Sequence, residues 1–239
     1  MCGRYTLTRQ DGVVDELEAQ LVIAAQPVEV QAWWKPRFNV APTQPAPVAR
    51  VVDGTRQLEL MRWGLVPHWA NRAFLPGEPK PPLMINARAE SIEAKQVFRD
   101  AFHRHRCLVP ADGFFEWLRP GSGGNRKPDP MYIRPVPRRV VAFAGVWVRA
   151  GDLFSFAIVT AKPNALVAPI HDRMPVVIPH ASYATWLDPS TDIETARALL
   201  HAAPVDDWRA DPVSQHVNKA LNDDPACIEL VAPAQTSLF

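Results

Sequence analysis

Proline constrains the folding of this chain more than any other feature, since 25 of the 239 residues are proline. A proline inside a helix has no N–H to donate and clashes with the preceding turn, so frequent prolines disfavour long helices. Stretches such as Val140–Val148 and Phe154–Thr160 have the residue pattern of strands in a sheet. The sequence therefore predicts one α+β domain over residues 1–239 in which strands predominate.

Some individual elements can be predicted locally. Pro47–Val52 and Leu58–Trp63 are strand-like, and Asp53-Gly54 between them is typical of a hairpin turn. Apolar residues at helical spacing predict a helix over Asp11–Ile23, and Ser91 is expected to cap another helix that runs to about His103. A last strand is predicted at Cys227–Val231.

Charge and cysteine content limit the possible functions. The formal net charge is +1, from 26 basic and 25 acidic residues, so any nucleic-acid binding must come from a local basic patch. Three widely spaced cysteines are typical of a reducing compartment rather than a disulfide framework. Because no signal-peptide pattern or membrane-spanning apolar run is seen, we expect a cytoplasmic protein without membrane contact.

Cys2 directly follows the initiator methionine. If Met1 is removed, Cys2 carries an α-amine and a thiol on adjacent carbons, a pair that condenses with an aldehyde to a thiazolidine ring. The amine suits this reaction, because its usual pKa of about 7.7–8.0 lies far below the value of about 10.4 for lysine. The alternative is that Cys2 is a small residue that opens a strand.

Glu116 and His171 are candidates for proton transfer. Glu116 lies in an apolar stretch of strand character, where burial raises a carboxyl pKa toward neutrality. His171 lies in a loop and has the usual pKa of a proton shuttle near pH 7. The alternatives are a structural glutamate paired with an arginine and a histidine at the surface. Asn39 and Asn86 can either orient a bound hydroxyl or cap turns.

Other types of site have less support. His103, His105 and Cys107 would share a face if they lay on one strand, but a fourth metal ligand is not evident, so we expect no metal. The sequence contains no G-x-S-x-G nucleophile motif, no P-loop and no G-x-G-x-x-G motif, which disfavours serine hydrolases and nucleotide-binding enzymes.

Arginine and tryptophan accompany the other candidate residues, as at Arg62-Trp63 and at Trp117 beside Glu116. Cations for phosphates and rings for stacked bases are what a single-stranded nucleic-acid groove requires. A tryptophan-rich core rimmed by arginine would produce the same pattern, and spacing does not separate the two.

Six motifs occur in the order typical of one family. They are Cys2–Tyr5 (CGRY), Arg37–Thr43 (RFNVAPT), Arg62–Trp69 (RWGLVPHW), Asn86–Glu90 (NARAE), Arg106–Trp117 (RCLVPADGFFEW) and His171–Pro175 (HDRMP). From residue 2 to about residue 230, the chain resembles the SRAP (SOS response-associated peptidase) family of abasic-site processing proteins. The resemblance implies the SRAP fold, a core rich in antiparallel strands with short flanking helices.

The resemblance also implies an activity. Family members bind single-stranded DNA that contains abasic sites, and the mature N-terminal cysteine forms a stable thiazolidine crosslink with the aldehyde of the ring-opened sugar. On this basis Cys2 is the nucleophile, Asn86 holds the sugar or its phosphate, Glu116 moves protons, and His171 is a general acid or base for the deoxyribose hydroxyl. A peptidase-like self-processing step would remove Met1, and the enzyme would be lyase-like.

Further expectations concern the DNA and the cellular context. The implied phosphate contacts are Arg4, Arg88 and Arg173, and the implied stacking and wedge surface comprises Trp69, Trp117 and the loop from Asn39 to Pro42. The resemblance implies a bacterial protein associated with the nucleoid during DNA damage; we expect a monomer without cofactor. Two alternatives stay open: a thiol peptidase that uses Cys2, His171 and Glu116, and a non-catalytic single-strand binding protein.

Overall fold

Two β-sheets carry the fold in the computed structural model, which describes residues 2–67, 70, 83–119, 127–204 and 206–231. The strands in this part of the chain are β1 Tyr5–Leu7, β2 Gln20–Leu21, β3 Arg37–Val40, β4 Pro45–Val52, β5 Thr55–Trp63, β6 Asn86–Arg88, β7 Arg106–Ala111, β8 Gly113–Leu118, β9 Asp129–Pro135, β10 Val141–Ala150, β11 Leu153–Ala161, β12 Met174–Pro175, β13 Val177–Ile178 and β14 Trp208–Pro212. The α-helices are α1 Val13–Leu17, α2 Val28–Gln31, α3 Gln96–Arg104, α4 Tyr183–Leu187 and α5 Ile193–Ala198. Short 3₁₀ turns lie at Gln10–Gly12, Ile23–Ala25, Ala89–Ser91, His180–Ser182, Gln215–Asn218 and Pro225–Ile228.

The first sheet has five strands in the order β14-β9-β8-β1-β3, and all its neighbours are antiparallel. In the second sheet, β11, β10, β7, β4 and β5 follow one another, and a parallel pairing of β5 with β11 closes them into a ring. Ser155 pairs with Arg62 and Phe156 with Trp63 at this closure. The short strand β6 runs parallel to β11 at the side of the ring. The predicted α+β class with a core rich in antiparallel strands is confirmed.

The described α-helices are short: the longest, α3, has nine residues. This agrees with the high proline content, although the helices also end where tertiary pairing begins. Within the described residues, no helix has both the length and the apolar character needed to cross a bilayer.

The predicted hairpin is present between β4 and β5. Asp53 and Gly54 both have positive φ, 49° and 77°, as the two central residues of a tight hairpin turn require. Glycine has no Cβ to clash in that region, and aspartate tolerates it better than most residues. This turn is a case where the local sequence determines the backbone.

Aromatic side chains fill the space between the sheets. Tyr5 and Trp63 make an edge contact with ring centroids 5.2 Å apart, and Trp63 stacks on Phe156 at 6.4 Å. Trp63 is fully buried and donates its indole N–H to the carbonyl of Ile85 at 3.0 Å. Trp63 therefore belongs to a tryptophan-containing core.

The predicted helix over Asp11–Ile23 is too long. The α1 helix ends at Leu17, and Glu18 adopts a left-handed conformation with φ 47°. Gln20–Leu21 then pairs in parallel with Gln57–Leu58 of β5. The chain thus exchanges helical hydrogen bonds for sheet hydrogen bonds, a non-local choice that helical spacing does not reveal.

Two other local predictions are also wrong. Ser91 ends a 3₁₀ turn, while α3 begins at Gln96 after Lys95, which makes no side-chain capping bond. Cys227–Val231 is mostly not a strand: Pro225–Ile228 forms a 3₁₀ turn, and Leu230 makes one isolated bridge with Val213. The side chain of Asp224 accepts from the backbone N–H of Ala226 and starts that turn.

Candidate active site

Four residues that are distant in sequence lie where the two sheets meet. Cys2 precedes β1 and Glu116 lies in β8 of the first sheet, while Asn86 begins β6 at the side of the ring. His171 lies in the connection between β11 and β12. The structure therefore brings Cys2, Asn86, Glu116 and His171 to one region, although their roles stay predictions at this point.

Cys2 is fully buried, and its thiol lies 3.7 Å from the backbone carbonyl of Arg4, to which it donates. Burial raises the pKa of this thiol well above its usual value, and the negative charge of Glu116 adds to the rise. The thiol is therefore protonated at neutral pH. A thiol peptidase that used Cys2 would therefore need a neighbouring base, such as Glu116 or His171, to remove the thiol proton.

Asn86 holds the backbone of Cys2. Its side-chain Nδ2 donates to the carbonyl oxygen of Cys2 at 2.9 Å, which fixes the orientation of the amide. The other amide atom, Oδ1, is buried and accepts no hydrogen bond from the described residues. A buried acceptor without a donor is costly, and a hydroxyl or amine placed beside Oδ1 would satisfy it.

Glu116 lies on the inward face of β8. It shares that face with Phe114, because side chains alternate along a strand, and it is only 2% exposed. Burial raises the pKa of the Glu116 carboxyl to about 7, while the positive charge of the amino terminus opposes the rise. Near neutral pH, Glu116 is therefore present in both protonation states, as a group that gives and takes protons requires.

His171 faces Glu116. Its Nδ1 accepts the backbone N–H of Arg173 at 3.0 Å, which leaves Nε2 as the protonated nitrogen, 3.8 Å from Oε2 of Glu116. The Asp172 carboxylate lies 3.0 Å from the same Nδ1 and favours the charged ring. Burial outweighs this effect and lowers the pKa of His171, so the ring is neutral at pH 7.

Two residues with predicted DNA contacts, Asn39 and Arg4, make hydrogen bonds within the protein, and their contacts with DNA stay predictions. Asn39 is fully buried, and its side-chain amide donates to the carbonyls of Val217, Lys219 and Asn222 at 2.7–3.1 Å. Arg4 donates to Oδ1 of Asn39 at 3.0 Å and to the carbonyl of Val217 at 2.9 Å. In this structure Asn39 and Arg4 tie residues 217–222 to β3 and to the segment that carries Cys2.

We expect Asn39→Ala to lower the free energy of unfolding by about 2 kcal/mol, because three carbonyls lose a donor inside the protein. Chemical denaturation measures this change. The control Gln31→Ala, at a half-buried position on α2, should cost less, since Gln31 donates only to the nearby carbonyls of Ala24 and Gln26. Full stability combined with weaker DNA binding in Asn39→Ala would instead favour a direct DNA contact.

Two predicted phosphate-binding arginines differ in their surroundings. Arg88 is exposed at the end of β6 and makes no ion pair with the described residues. Arg173 is 8% exposed, binds the Glu90 carboxylate through two nitrogens at 2.8 and 2.9 Å, and donates to the carbonyl of Thr160. Arg88 can meet a phosphate directly, whereas Arg173 would have to share its guanidinium with Glu90.

The predicted stacking surface is described only in part. Trp117 is half-buried, and its indole N–H donates to Oδ1 of Asn218 at 2.7 Å. Pro42 is also half-buried and follows β3. Trp69 lies outside the described residues. The stacking role of these three residues stays a prediction.

Asp112 has a role that the sequence analysis did not assign. It is buried between β7 and β8, and its carboxylate accepts from the hydroxyls of Thr6 and Thr8 and from the backbone N–H of Thr8 at 2.7 Å. These bonds fix β1, which follows Cys2. A single carboxylate between two apolar strands, followed by Gly113, was the signal available in the sequence.

Two groups of side chains in the described chain are of types that can ligate metals. His103 lies in α3 beside Glu93, and His105 stacks on Trp147 at 4.4 Å, so these histidines and the buried Cys107 do not line one strand face. Elsewhere in the described chain, the donor atoms of His216, Asp224 and Cys227 lie within 4.8 Å of one another. Those groups already bond to each other or to Asn222, which favours a structural role.

A cavity of about 790 Å³ lies away from the four candidate residues, between α3 and the β10–β11 hairpin. Its cations are paired: Arg50 bonds to Glu59, and Arg149 lies 3.7 Å from Asp152. Arg50 also covers the Trp147 ring at 4.5 Å from its centroid. This cavity contains none of the predicted site residues, so we do not assign the chemistry to it.

Comparisons with known proteins identify the family of this chain. The family profile described as SOS response associated peptidase (SRAP) matches residues 1–220. The chain is 35% identical to the abasic site processing protein YoqW of Bacillus subtilis (96% of this chain, 99% of the relative) and 27% identical to the abasic site processing protein HMCES of Xenopus tropicalis (84% and 68%).

Solved structures share the fold. A crystal structure of a Bacteroides thetaiotaomicron protein superimposes with a TM-score of 0.82 at 23% identity, covering 97% of this chain and 100% of that one. A phage-related protein from Bordetella bronchiseptica gives a TM-score of 0.68 at 30% identity, covering 90% and 95%. With the profile matched over most of its length, the chain belongs to the SOS response associated peptidase (SRAP) family.

Proposed function

We propose that this protein processes abasic sites in single-stranded DNA by forming a thiazolidine crosslink between Cys2 and the aldehyde of the ring-opened sugar. The observation that carries the proposal is the enclosure of Cys2: Asn86 bonds its carbonyl at 2.9 Å, and Glu116 lies close enough to raise the pKa of its thiol. The names of the curated relatives, abasic site processing proteins, support the choice of lesion.

The reaction begins once Met1 has been removed. The α-amine of Cys2 adds to C1′ of the aldehyde, and the resulting carbinolamine takes a proton from Glu116 and loses water to give an iminium ion. The Cys2 thiol then adds to the iminium carbon and returns a proton to the Glu116 carboxylate. One water leaves overall, and Glu116 ends in the state in which it began.

The neighbouring groups have matching roles in the proposal. Oδ1 of Asn86 accepts from the sugar hydroxyl or from the attacking amine, since it has no donor among the described residues. The neutral ring of His171, with its proton on Nε2, acts as a general acid or base for the hydroxyl and the ring oxygen of the deoxyribose while the sugar ring opens. A buried thiol stays protonated until it adds to the iminium carbon, which protects Cys2 from other electrophiles.

Several finer features are part of the same proposal. Removal of Met1 by the protein itself and work on damaged nucleoid DNA follow from the family resemblance, whereas a monomer in the cytoplasm is what the sequence leads us to expect. The peptidase-like and lyase-like activities belong with them. A purely non-catalytic role in single-strand binding would leave the enclosure of Cys2 without purpose.

Intact mass spectrometry tests the proposal. Purified protein is incubated, without borohydride, with a single-stranded oligonucleotide that carries one abasic site, and is then denatured. We expect a species at the mass of the chain without Met1 plus the oligonucleotide minus one water, absent with an undamaged oligonucleotide. Recovery of the processed chain alone, with the aldehyde verified as present, would refute the proposal.

Arg88→Ala should weaken binding to all single-stranded sequences alike and reduce the slope of log K against log salt by about 0.7–1, because one phosphate contact is lost. Fluorescence anisotropy over a salt series measures this. Arg104→Ala, at an exposed arginine in the last turn of α3, is the matched control and should leave the slope unchanged. A loss of affinity confined to particular sequences would contradict a phosphate contact by Arg88.

A further inference from the structure

A second cavity, of about 400 Å³, adjoins Asn86. It lies between the segment that leads into β6 and the turn that precedes α3. Its volume is within the range of about 300–1,000 Å³ that is common for small-ligand sites. Because Asn86 both lines this cavity and bonds to Cys2, the cavity begins where the proposed reaction takes place.

The lining of this cavity combines apolar and cationic side chains. Leu83, Met84 and the ring of Phe98 supply the apolar surface. Arg88 and Lys95 are exposed at the cavity, and neither makes an ion pair with the described residues. An apolar surface with two available cations suits a planar, apolar group attached to a phosphate.

The order of residues along β6 relates the cavity to the path of a DNA strand. Asn86 and Arg88 are two residues apart on one strand, so they lie on the same face, about 6.6 Å apart. A strand whose abasic sugar lies at Asn86 would place its next phosphate toward Arg88. The base of that neighbouring nucleotide then lies beside the cavity.

We propose that this cavity receives the unpaired base of the nucleotide next to the abasic site; the inference rests on the proposed function. The base packs against Met84 and Phe98 while Arg88 and Lys95 bind the adjoining phosphates. A base in the cavity is separated from a complementary strand, so the cavity selects single-stranded DNA at this position. By binding the neighbouring nucleotide, the cavity also holds the abasic sugar at Asn86.

Removal of single bases tests the proposal. Three oligonucleotides each carry one abasic site. The first has ordinary nucleotides on both sides of it. The second and third replace the 5′ or the 3′ neighbour, respectively, by tetrahydrofuran, a base-less analogue that has no aldehyde. Non-covalent affinity is measured by anisotropy with the Cys2→Ala variant, and the second-order rate of adduct formation with the wild type. We expect that loss of the base on one side of the abasic site, either 5′ or 3′, weakens binding at least about fivefold and slows adduct formation by a similar factor.

A variant that fills the cavity locates the effect. Ala94 is exposed and lines the cavity, so Ala94→Trp occupies the space of the base with little disturbance of the core. In this variant, removal of the neighbouring base should change affinity less than twofold. Ala198→Trp, at an exposed position in α5, is the matched control and should keep the full base effect.

The outcomes separate this inference from the proposed function. Adduct formation that is indifferent to both neighbouring bases, or a base effect that persists in Ala94→Trp, overturns the assignment of the cavity and leaves the crosslinking proposal standing. No adduct with any oligonucleotide, combined with a base effect that Ala94→Trp abolishes, overturns the crosslinking proposal and supports the cavity as a base site.

Discussion

Cys2→Ala should abolish the stable adduct with abasic DNA while leaving non-covalent binding to single strands within a few-fold of the wild type. Alanine keeps the α-amine, so it can still form a Schiff base, but it has no thiol to close the ring. The measurement is denaturing gel electrophoresis or intact mass after incubation without borohydride. Loss of the adduct should exceed 100-fold, since no other group of the described site supplies a thiol to the iminium carbon.

Cys2→Ser makes this test sharper. Serine retains the amine and a hydroxyl, so borohydride should trap a Schiff base, whereas the adduct without borohydride should be short-lived. Cys107→Ala is the matched control, because Cys107 is another fully buried thiol in the same core. It should form the adduct at nearly the wild-type rate. Equal durability of the Cys2→Ser and wild-type adducts would exclude the thiazolidine.

Glu116→Gln should slow adduct formation about 100-fold and change DNA affinity little, because an amide neither gives nor takes the proton that the carbinolamine and thiol steps require. The rate is measured by quenched time points at saturating DNA, in the forward direction and in reversal. Glu29→Gln, at an exposed glutamate on α2, controls for the loss of one negative charge. Unchanged rates in both directions would make Glu116 a structural residue.

The pH dependence gives a second view of Glu116. Its carboxyl is protonated below a pKa of about 7, so the proton needed to expel water becomes scarcer as the pH rises through that value. The amine of Cys2 becomes more nucleophilic over the same range, with an ordinary pKa of about 7.7–8.0. The wild-type rate should therefore pass through a maximum near pH 7–8, and Glu116→Gln should lose the dependence centred on pH 7.

Local chemistry made part of the fold predictable. The high proline content predicted short helices, and the longest described helix has nine residues. Asp53-Gly54 marked its hairpin because positive φ is a property of the residues in the turn. The helix predicted over Asp11–Ile23 was wrong beyond Leu17, because pairing of Gln20–Leu21 with β5 is a long-range contact. Closure of the ring by β5 and β11 likewise joins segments about 90 residues apart, and no local pattern indicates it.

Some properties of the candidate site could likewise be predicted from the sequence, and others depended on the tertiary structure. The sequence by itself predicted that Glu116 would be buried, since it lies in an apolar run of strand character, and that Cys2 would carry an amine and a thiol once Met1 is gone. Only the tertiary structure decided that Asn39 bonds to residues 217–222, that Arg173 pairs with Glu90, and that Nδ1 of His171 accepts the backbone N–H of Arg173. The physical reason is that residue type determines what a group can donate, accept or titrate. Its partners depend on segments that only the folded sheets bring together.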